Sequence, residues 1–389
     1  PIELTDSWSA VIGDFNEDGH LDIAVLCPLY YAAIAGKCCG YVEGGTAAVG
    51  ILLGNGDGTF SGPTFFPVGD GSWNCYRIAT GDFNGDGHLD LTVTNPGTGD
   101  YHVGAVGVYL LLGDGKGAFK PSPKGWIRTG REPSGMAVGD FDEDGDLDLA
   151  VACIWDDRIT VILGDGEGGA KSESSVQFPR NTQPASIVTA DFNGDGHLDL
   201  ATANYGTGEP PYPSVSVMLG DGKGGFAKAK DYQVIKRPEA LVVGDFNEDG
   251  YVDIAAINSA KLVSIKPEIV VKNYVSLFYG DGTGGFVGPN NLNTDITDPY
   301  RMAVADFNGD GHLDLALVGD SSYEVSLLLG DGEGKFQSCH GSPFLYGREG
   351  LSPGFSWVGV ADFDEDGYPD LGILRHDTLM IKLNNREGE

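Results

Sequence analysis

The chain has 389 residues, with 57 acidic against 24 basic side chains and a net charge of −33. That balance disfavours a nucleic-acid partner, which needs a basic footprint, and no apolar run approaches the length of a membrane span. The six cysteines (Cys27, Cys38, Cys39, Cys75, Cys153 and Cys339) lack the paired spacing of a zinc site and suit an oxidising compartment.

The chain opens at Pro1 without Met or a secretory leader, which reads as a processed, mature secreted protein. No Asn-x-Ser/Thr sequon is present, which favours a prokaryotic source. A short apolar segment then leads into the first of seven nine-residue loops, at 14–22, 82–90, 140–148, 191–199, 245–253, 306–314 and 362–370. Each has Asp at positions 1, 5 and 9, Asn or Asp at position 3 and Gly at position 6. Oxygen side chains at alternate positions of a tight loop suit Ca²⁺, a hard cation that takes six to eight oxygens. An EF-hand would need a Glu at position 12 and flanking helices, whereas position 12 of the second loop is Val93, inside an apolar strand pattern. Seven divalent cations would offset almost half of the net charge.

The expected ligands follow loop by loop, position 7 acting through its carbonyl. They are Asp14, Asn16, Asp18, His20 and Asp22; Asp82, Asn84, Asp86, His88 and Asp90; Asp140, Asp142, Asp144, Asp146 and Asp148. The remaining loops supply Asp191, Asn193, Asp195, His197 and Asp199; Asp245, Asn247, Asp249, Tyr251 and Asp253; Asp306, Asn308, Asp310, His312 and Asp314; and Asp362, Asp364, Asp366, Tyr368 and Asp370. The rings of His20, His88, His197 and His312 are expected to stand exposed beside the loops. About seven Ca²⁺ ions in a structural role are implied, and calcium is abundant outside the cell.

Around each loop the sequence repeats one pattern. An apolar strand precedes the loop, as in Met136 to Gly139, and a second follows it, as in Leu147 to Ala152. A third runs into a Gly-Asp-Gly turn, as from Val106 to Phe119, and the turn glycines supply the positive φ of a tight hairpin. A fourth, more polar strand leads on, often through Pro133, Pro184, Pro238 or Pro299. Helical periodicity is absent. The predicted fold is all-β: one domain over 1–389, a seven-bladed propeller of four-stranded antiparallel blades. The seventh repeat stops at Asn384-Asn385 after its third strand, Leu379 to Leu383, so Pro1-Ile2-Glu3-Leu4 is expected to complete that blade and close the ring.

The Asp-Phe-Asn-Gly-Asp-Gly-His-Leu-Asp loops and Leu-Gly-Asp-Gly-Lys-Gly-Gly-Phe hairpins resemble FG-GAP/VCBS repeats, a family similar to the integrin α-subunit propeller. The resemblance spans roughly the whole chain and implies ligation by positions 1, 3, 5 and 9 with a position-7 carbonyl. It leaves the activity open, since the family includes lectins, adhesion modules and polysaccharide lyases. Asp142 and Asp146 in the third loop, and Pro369 at position 8 of the seventh, depart from the pattern without removing a ligand.

Candidate ligand residues fall on the face opposite the loops. Five residues before each loop stand Ser9, Arg77, Gly135, Ser186, Ala240, Arg301 and Trp357, preceded in three blades by Trp8, Tyr76 and Tyr300. Arg375 and His376 follow the second strand of blade 7 on the same side. Aromatic residues with Arg suit sugar stacking and carboxylate pairing. Insertions run from Cys27 to Ala47, bearing Tyr30, Tyr31 and Tyr41, and from Ser259 to Asn273; a disulfide from Cys75 to Cys38 or Cys39 is expected to pin the first. No Gly-x-Ser-x-Gly or His-Glu-x-x-His motif is present. Three functions remain open: an extracellular or cell-surface recognition or adhesion module for a glycan or protein; a lyase or hydrolase of acidic glycans using His376, His102 or His340 with Arg77 and Arg301; or a self-associating filament or surface-layer subunit.

Overall fold

The computed structural model describes residues 2–4, 7–27, 47–68, 77–96, 106–207, 210–259, 274–294, 296–319, 324–345, 355–375 and 378–384. Its strands form seven antiparallel sheets, six of them following sequence order from the inside outward, and blade 6 adds a short fifth strand, Phe344–Leu345, paired with Glu324–Gly330. Blade 3 is typical, with Pro133–Gly139, Asp148–Cys153, Arg158–Gly164 and Ala170–Gln177 from the inside outward. First strands of neighbouring blades touch all round, blade 7 against blade 1 included, and so line a central channel. In blade 7 the fourth position is taken by Ile2–Glu3, paired antiparallel to Thr378–Lys382. The chain is therefore the seven-bladed all-β propeller that its repeats predict.

Burial explains the polarity of the strands. Second strands such as Asp148–Cys153 are buried at every position because each is covered by a blade on both sides. Their Ala-rich sequences, as in Ala150 and Ala152, let the sheets approach closely. Fourth strands such as Ala170–Gln177 face solvent and are polar. The core is divided into seven apolar seams, one between each adjacent pair of blades. The seam between blades 7 and 1 joins Leu4, Leu374 and Leu379 to Ala10, Ile23 and Val25.

The loop-side ends of the seams share one construction. The Phe at loop position 2 is buried in every blade, at 6% exposure or less. At five junctions its ring meets, edge to face, a Phe that follows the hairpin glycines of the next blade, as in Phe15–Phe119 (5.7 Å) and Phe192–Phe286 (5.5 Å). Its carbonyl accepts the N–H of a hairpin glycine from that same next blade, as in Gly117 to Phe15 (2.9 Å) and Gly224 to Phe141 (2.8 Å).

Blade 7 has no such hairpin among the described residues, and Asn384 substitutes for it. Its backbone N–H bonds Asp370 Oδ1 (2.7 Å), and its side-chain amide donates to Phe307 O (2.7 Å) and Pro369 O (3.3 Å). Asn384→Ala keeps the first bond and removes the others, so it should cost about 1–2 kcal/mol in chemical denaturation. An unchanged midpoint would show that this seam does not depend on the amide.

Candidate functional site

The seven loops join first strands to second strands, and each is held by its own side chains. In loop 2, Asp82 accepts the N–H groups of Asp86 (3.2 Å) and Gly87 (2.9 Å), Asn84 Oδ1 that of Asp86 (3.0 Å), and Asp86 that of His88 (2.9 Å). Position 9 is different. Asp90 is fully buried, taking the Phe83 N–H on one oxygen (3.0 Å) and the Gly113 N–H on the other (2.8 Å). The same pair of bonds recurs at Asp22, Asp148, Asp199, Asp253, Asp314 and Asp370. This carboxylate thus ties the loop to the end of the third strand. Burial raises its pKa, to about 6 in Asp90, Asp148 and Asp253, against the opposing pull of the two N–H donors.

In loops 3 and 7, where position 3 is Asp, carboxylate oxygens of positions 1, 3 and 9 lie within 4.8 Å of one another. Asp142 Oδ1 and Asp364 Oδ1 are buried there without a hydrogen-bond partner. Loop 3 also holds the Lys171 ammonium, 2.7 Å from Asp142 and in contact with Asp144.

The histidines at position 7 do more than the sequence suggested. His20, His88, His197 and His312, each about one-third exposed, pair through Nδ1 with Glu365, Glu17, Glu143 and Glu248 of the preceding blade's loop. Their pKa values rise chiefly through that hydrogen bond. Every Glu stands at loop position 4, which adopts φ between 55° and 58° there. Position 4 is otherwise glycine (Gly85, Gly194, Gly309), and the next blade then presents Asp146, Tyr251 or Tyr368. A side chain in left-handed backbone costs about 1 kcal/mol, and Glu occurs only where a His is there to meet it. This alternation of positions 4 and 7 was the available signal, legible only once loops are compared across blade boundaries.

About 20 Å away, one strand length, the channel mouth gathers a second group. Arg301 stacks on Tyr300 (3.9 Å) and donates from Nη1 to the Tyr300 carbonyl (3.0 Å), while its Nη2 is buried with no hydrogen-bond partner. Arg77 lies beside both, and burial together with the neighbouring Arg301 charge lowers its pKa to about 10. The Arg301 and Arg77 charges lower that of Tyr300 despite its burial. Tyr205 donates to Glu239 (3.0 Å), which Arg237 approaches at 3.6 Å while stacking on the Tyr205 ring (3.4 Å).

Arg77, Tyr300 and Arg301 were expected together; Tyr205, Arg237 and Glu239 were not singled out. Glu239 and Tyr300 both sit in the register shift that opens the first strands of blades 5 and 6. An extra residue at a strand start re-aims its side chain, which an unbroken two-residue alternation does not reveal.

The Trp357 ring lies against Gly359 and Gly372 within blade 7, Arg375 is fully buried, and Trp8 is half-buried. His340 is exposed in a turn after the outer strand Phe336–Ser338 of blade 6, apart from the channel cluster. Tyr76, His102, His376, the Cys75 disulfide and the tyrosines of the first insertion fall outside the described residues. Cys153 is a buried thiol and Cys339 a half-buried one.

Fold and loops together define a propeller of acidic-loop repeats. The FG-GAP-like repeat model matches residues 39–93, 97–151, 149–202, 191–256, 262–317 and 306–373, and the chain belongs to that family. Among curated proteins it is similar to phosphatidylinositol-glycan-specific phospholipase D of Homo sapiens, 30% identical over 161 residues, covering 35% of this chain and 18% of the relative. The Rattus norvegicus protein of that name is 28% identical over 153 residues, covering 33% and 18%. The chain thus spans less than a fifth of these relatives. Two solved structures share the fold at 13% identity. A putative 6-phosphogluconolactonase from Bacteroides uniformis has a TM-score of 0.60, with 87% of this chain and 85% of that one covered. BBS1N in complex with ARL6DN has a TM-score of 0.55, with 100% and 94% covered. No helix among the described residues is long and apolar enough to cross a membrane.

Proposed function

We propose that the chain is a calcium-stabilised recognition propeller that works outside the cell and binds a glycan or protein on the face opposite its acidic loops. The observation that carries this reading is the contrast between the two faces. The loop face repeats the same carboxylate arrangement in all seven blades, as a scaffold would. The opposite face concentrates arginine and tyrosine side chains that do not repeat.

The loop residues fit calcium. Three carboxylates within 4.8 Å, with a buried oxygen lacking a donor, repel one another unless a cation lies between them. Side chains of positions 1, 3, 5 and 9 and the carbonyl of position 7 would hold it. Such an ion neutralises the cage and fixes the turn, and position 9 already connects that turn to the blade seam. Lys171 gives loop 3 a cation of its own, so that loop should be the weakest of the seven. The curated relatives' name adds a glycan-bearing lipid to the ligand classes worth testing.

A calcium-loaded sample on a broad panel of glycans and matrix proteins should show saturable binding without cleavage. Binding to none of them, or release of unsaturated uronate products from a bound polymer, would overturn this reading.

A further inference from the structure

We propose that Lys171 is a tethered competitor for the cation of loop 3, whose ammonium leaves the cage when calcium enters it. This rests on the calcium reading above and gives one of the seven sites a regulation of its own.

Loop 3 lacks a donor that other loops have. In five loops position 3 is Asn, and its amide donates to the position-5 Asp at 2.8–3.0 Å. In loop 3 position 3 is Asp142, and the Lys171 ammonium joins the two carboxylates instead, 2.7 Å from Asp142 and in contact with Asp144. The cage therefore already holds a cation. One ammonium leaves most of the charge of five aspartates unbalanced, and Asp142 Oδ1 stays buried without a donor.

A strand irregularity brings the lysine there. Leu163 pairs with Ser172 and Gly164 with Ala170, so Lys171 is the extra residue of a bulge at the start of the fourth strand. The equivalent Lys120, Val287 and Gln337 of blades 2, 5 and 6 pair in register. The Lys171 side chain is one-third exposed, which leaves it a way out to water. Positions 3 and 5 are ligands in the calcium reading, and Lys171 holds an oxygen of each. Two cations at contact distance on the same oxygens repel strongly, so ammonium and calcium exclude each other. Loop 7 is the internal comparison. Asp362, Asp364 and Asp370 form the same group of three carboxylates, with Asp364 Oδ1 likewise unpartnered, and among the described residues no ammonium reaches it. Loop 3 thus exchanges its cation at free calcium levels where the other loops stay filled, and the Lys171 amine is released to the surface as it does so.

The test is a calcium titration of the full chain, read by native mass spectrometry and by competition with a chelating dye. It compares the parent with Lys171→Met, Lys171→Arg and Lys236→Met, the last lying on the face opposite the loops. One ion of the parent should bind about tenfold or more weakly than the rest, and Asp140→Ala should abolish that step. Lys171→Met, which keeps the stem and removes the charge, should tighten it about tenfold, whereas Lys171→Arg and Lys236→Met should not. Melting curves confirm that each variant folds. Acetylation mapped by peptide mass spectrometry gives a second readout: Lys171 should react several-fold faster in calcium than in chelator, and Lys236 equally in both. Weak-site affinity unchanged by Lys171→Met, or Lys171 labelling equal in both conditions, would overturn the exchange while the other filled loops leave the calcium reading intact. A seventh ion gained only in Lys171→Met would make the lysine a permanent replacement and likewise overturn exchange. A chain that takes up no calcium at any loop would overturn both readings.

Discussion

Chelation of calcium should lower the melting temperature by more than about ten degrees at neutral pH. Each ion held at a hundredfold excess over its Kd stabilises by about 2.7 kcal/mol. These contributions do not simply add, because the loops are connected to one another. The position-2 Phe whose N–H bonds the position-9 carboxylate also gives its carbonyl and its ring to the next blade. A cage that opens therefore loosens a seam. A single change such as Asp82→Ala leaves six other loops intact and should lower the melting temperature only modestly.

The same experiment has a pH signature. Without metal, burial raises the folded pKa of every position-9 carboxyl above the unfolded value of 3.8, to about 6 in Asp90, Asp148 and Asp253. The folded chain then takes up protons between these values that the unfolded chain does not, so stability rises as pH falls from neutral through 6. The Glu-paired histidines act in the same direction: their contribution is complete below the unfolded value of 6.5 and is lost as pH rises through the raised folded one. With calcium bound, ligand carboxylates are held ionised, and stability is lost as pH falls through their depressed values. The melting temperature should thus rise on mild acidification in chelator and fall on stronger acidification in calcium. An unchanged curve in chelator, with metal loss verified by elemental analysis, would refute structural calcium.

The second large effect separates two aspartates of one loop. In chelator, Asp253→Ala should cost about 3 kcal/mol or more, and Asp245→Ala about 1 kcal/mol or less. Asp253 is fully buried and receives the Phe246 N–H (2.9 Å) and the Gly280 N–H (2.8 Å), so its loss leaves two buried donors without acceptors. Asp245 receives the N–H groups of Asp249 (3.1 Å) and Gly250 (2.9 Å) at the exposed loop, where water replaces it. In saturating calcium both costs should rise, since each variant then also loses an ion ligand. Denaturant titrations of the two variants under both conditions measure this, and equal costs in chelator would deny position 9 its separate role.

Much of this architecture was legible because its determinants are local and repeated. The expected strands Met136 to Gly139 and Leu147 to Ala152 appear as Pro133–Gly139 and Asp148–Cys153, and blade 7's third strand, expected over Leu379 to Leu383, is Thr378–Lys382. Relations between blades were harder to read. The His88–Glu17 pair spans 71 residues and depends on how loops align across a seam. Asn384 was visible as the place where a hairpin stops, but its amide substitutes for a glycine N–H only once blade 6 lies beside it. At the channel mouth, Arg77 and Arg301 were identified from their equivalent strand positions. Glu239, which precedes Ala240 as Tyr300 precedes Arg301, was passed over because the register shift that turns both side chains leaves no mark in a two-residue period.

The most direct test of the account is a calcium count on the full chain, equilibrated in millimolar calcium, desalted and measured by elemental analysis and native mass spectrometry. The account predicts about seven ions per chain, with loop 3 the first to empty as free calcium is lowered. A chain that retains none, and melts at the same temperature with and without calcium, would contradict it.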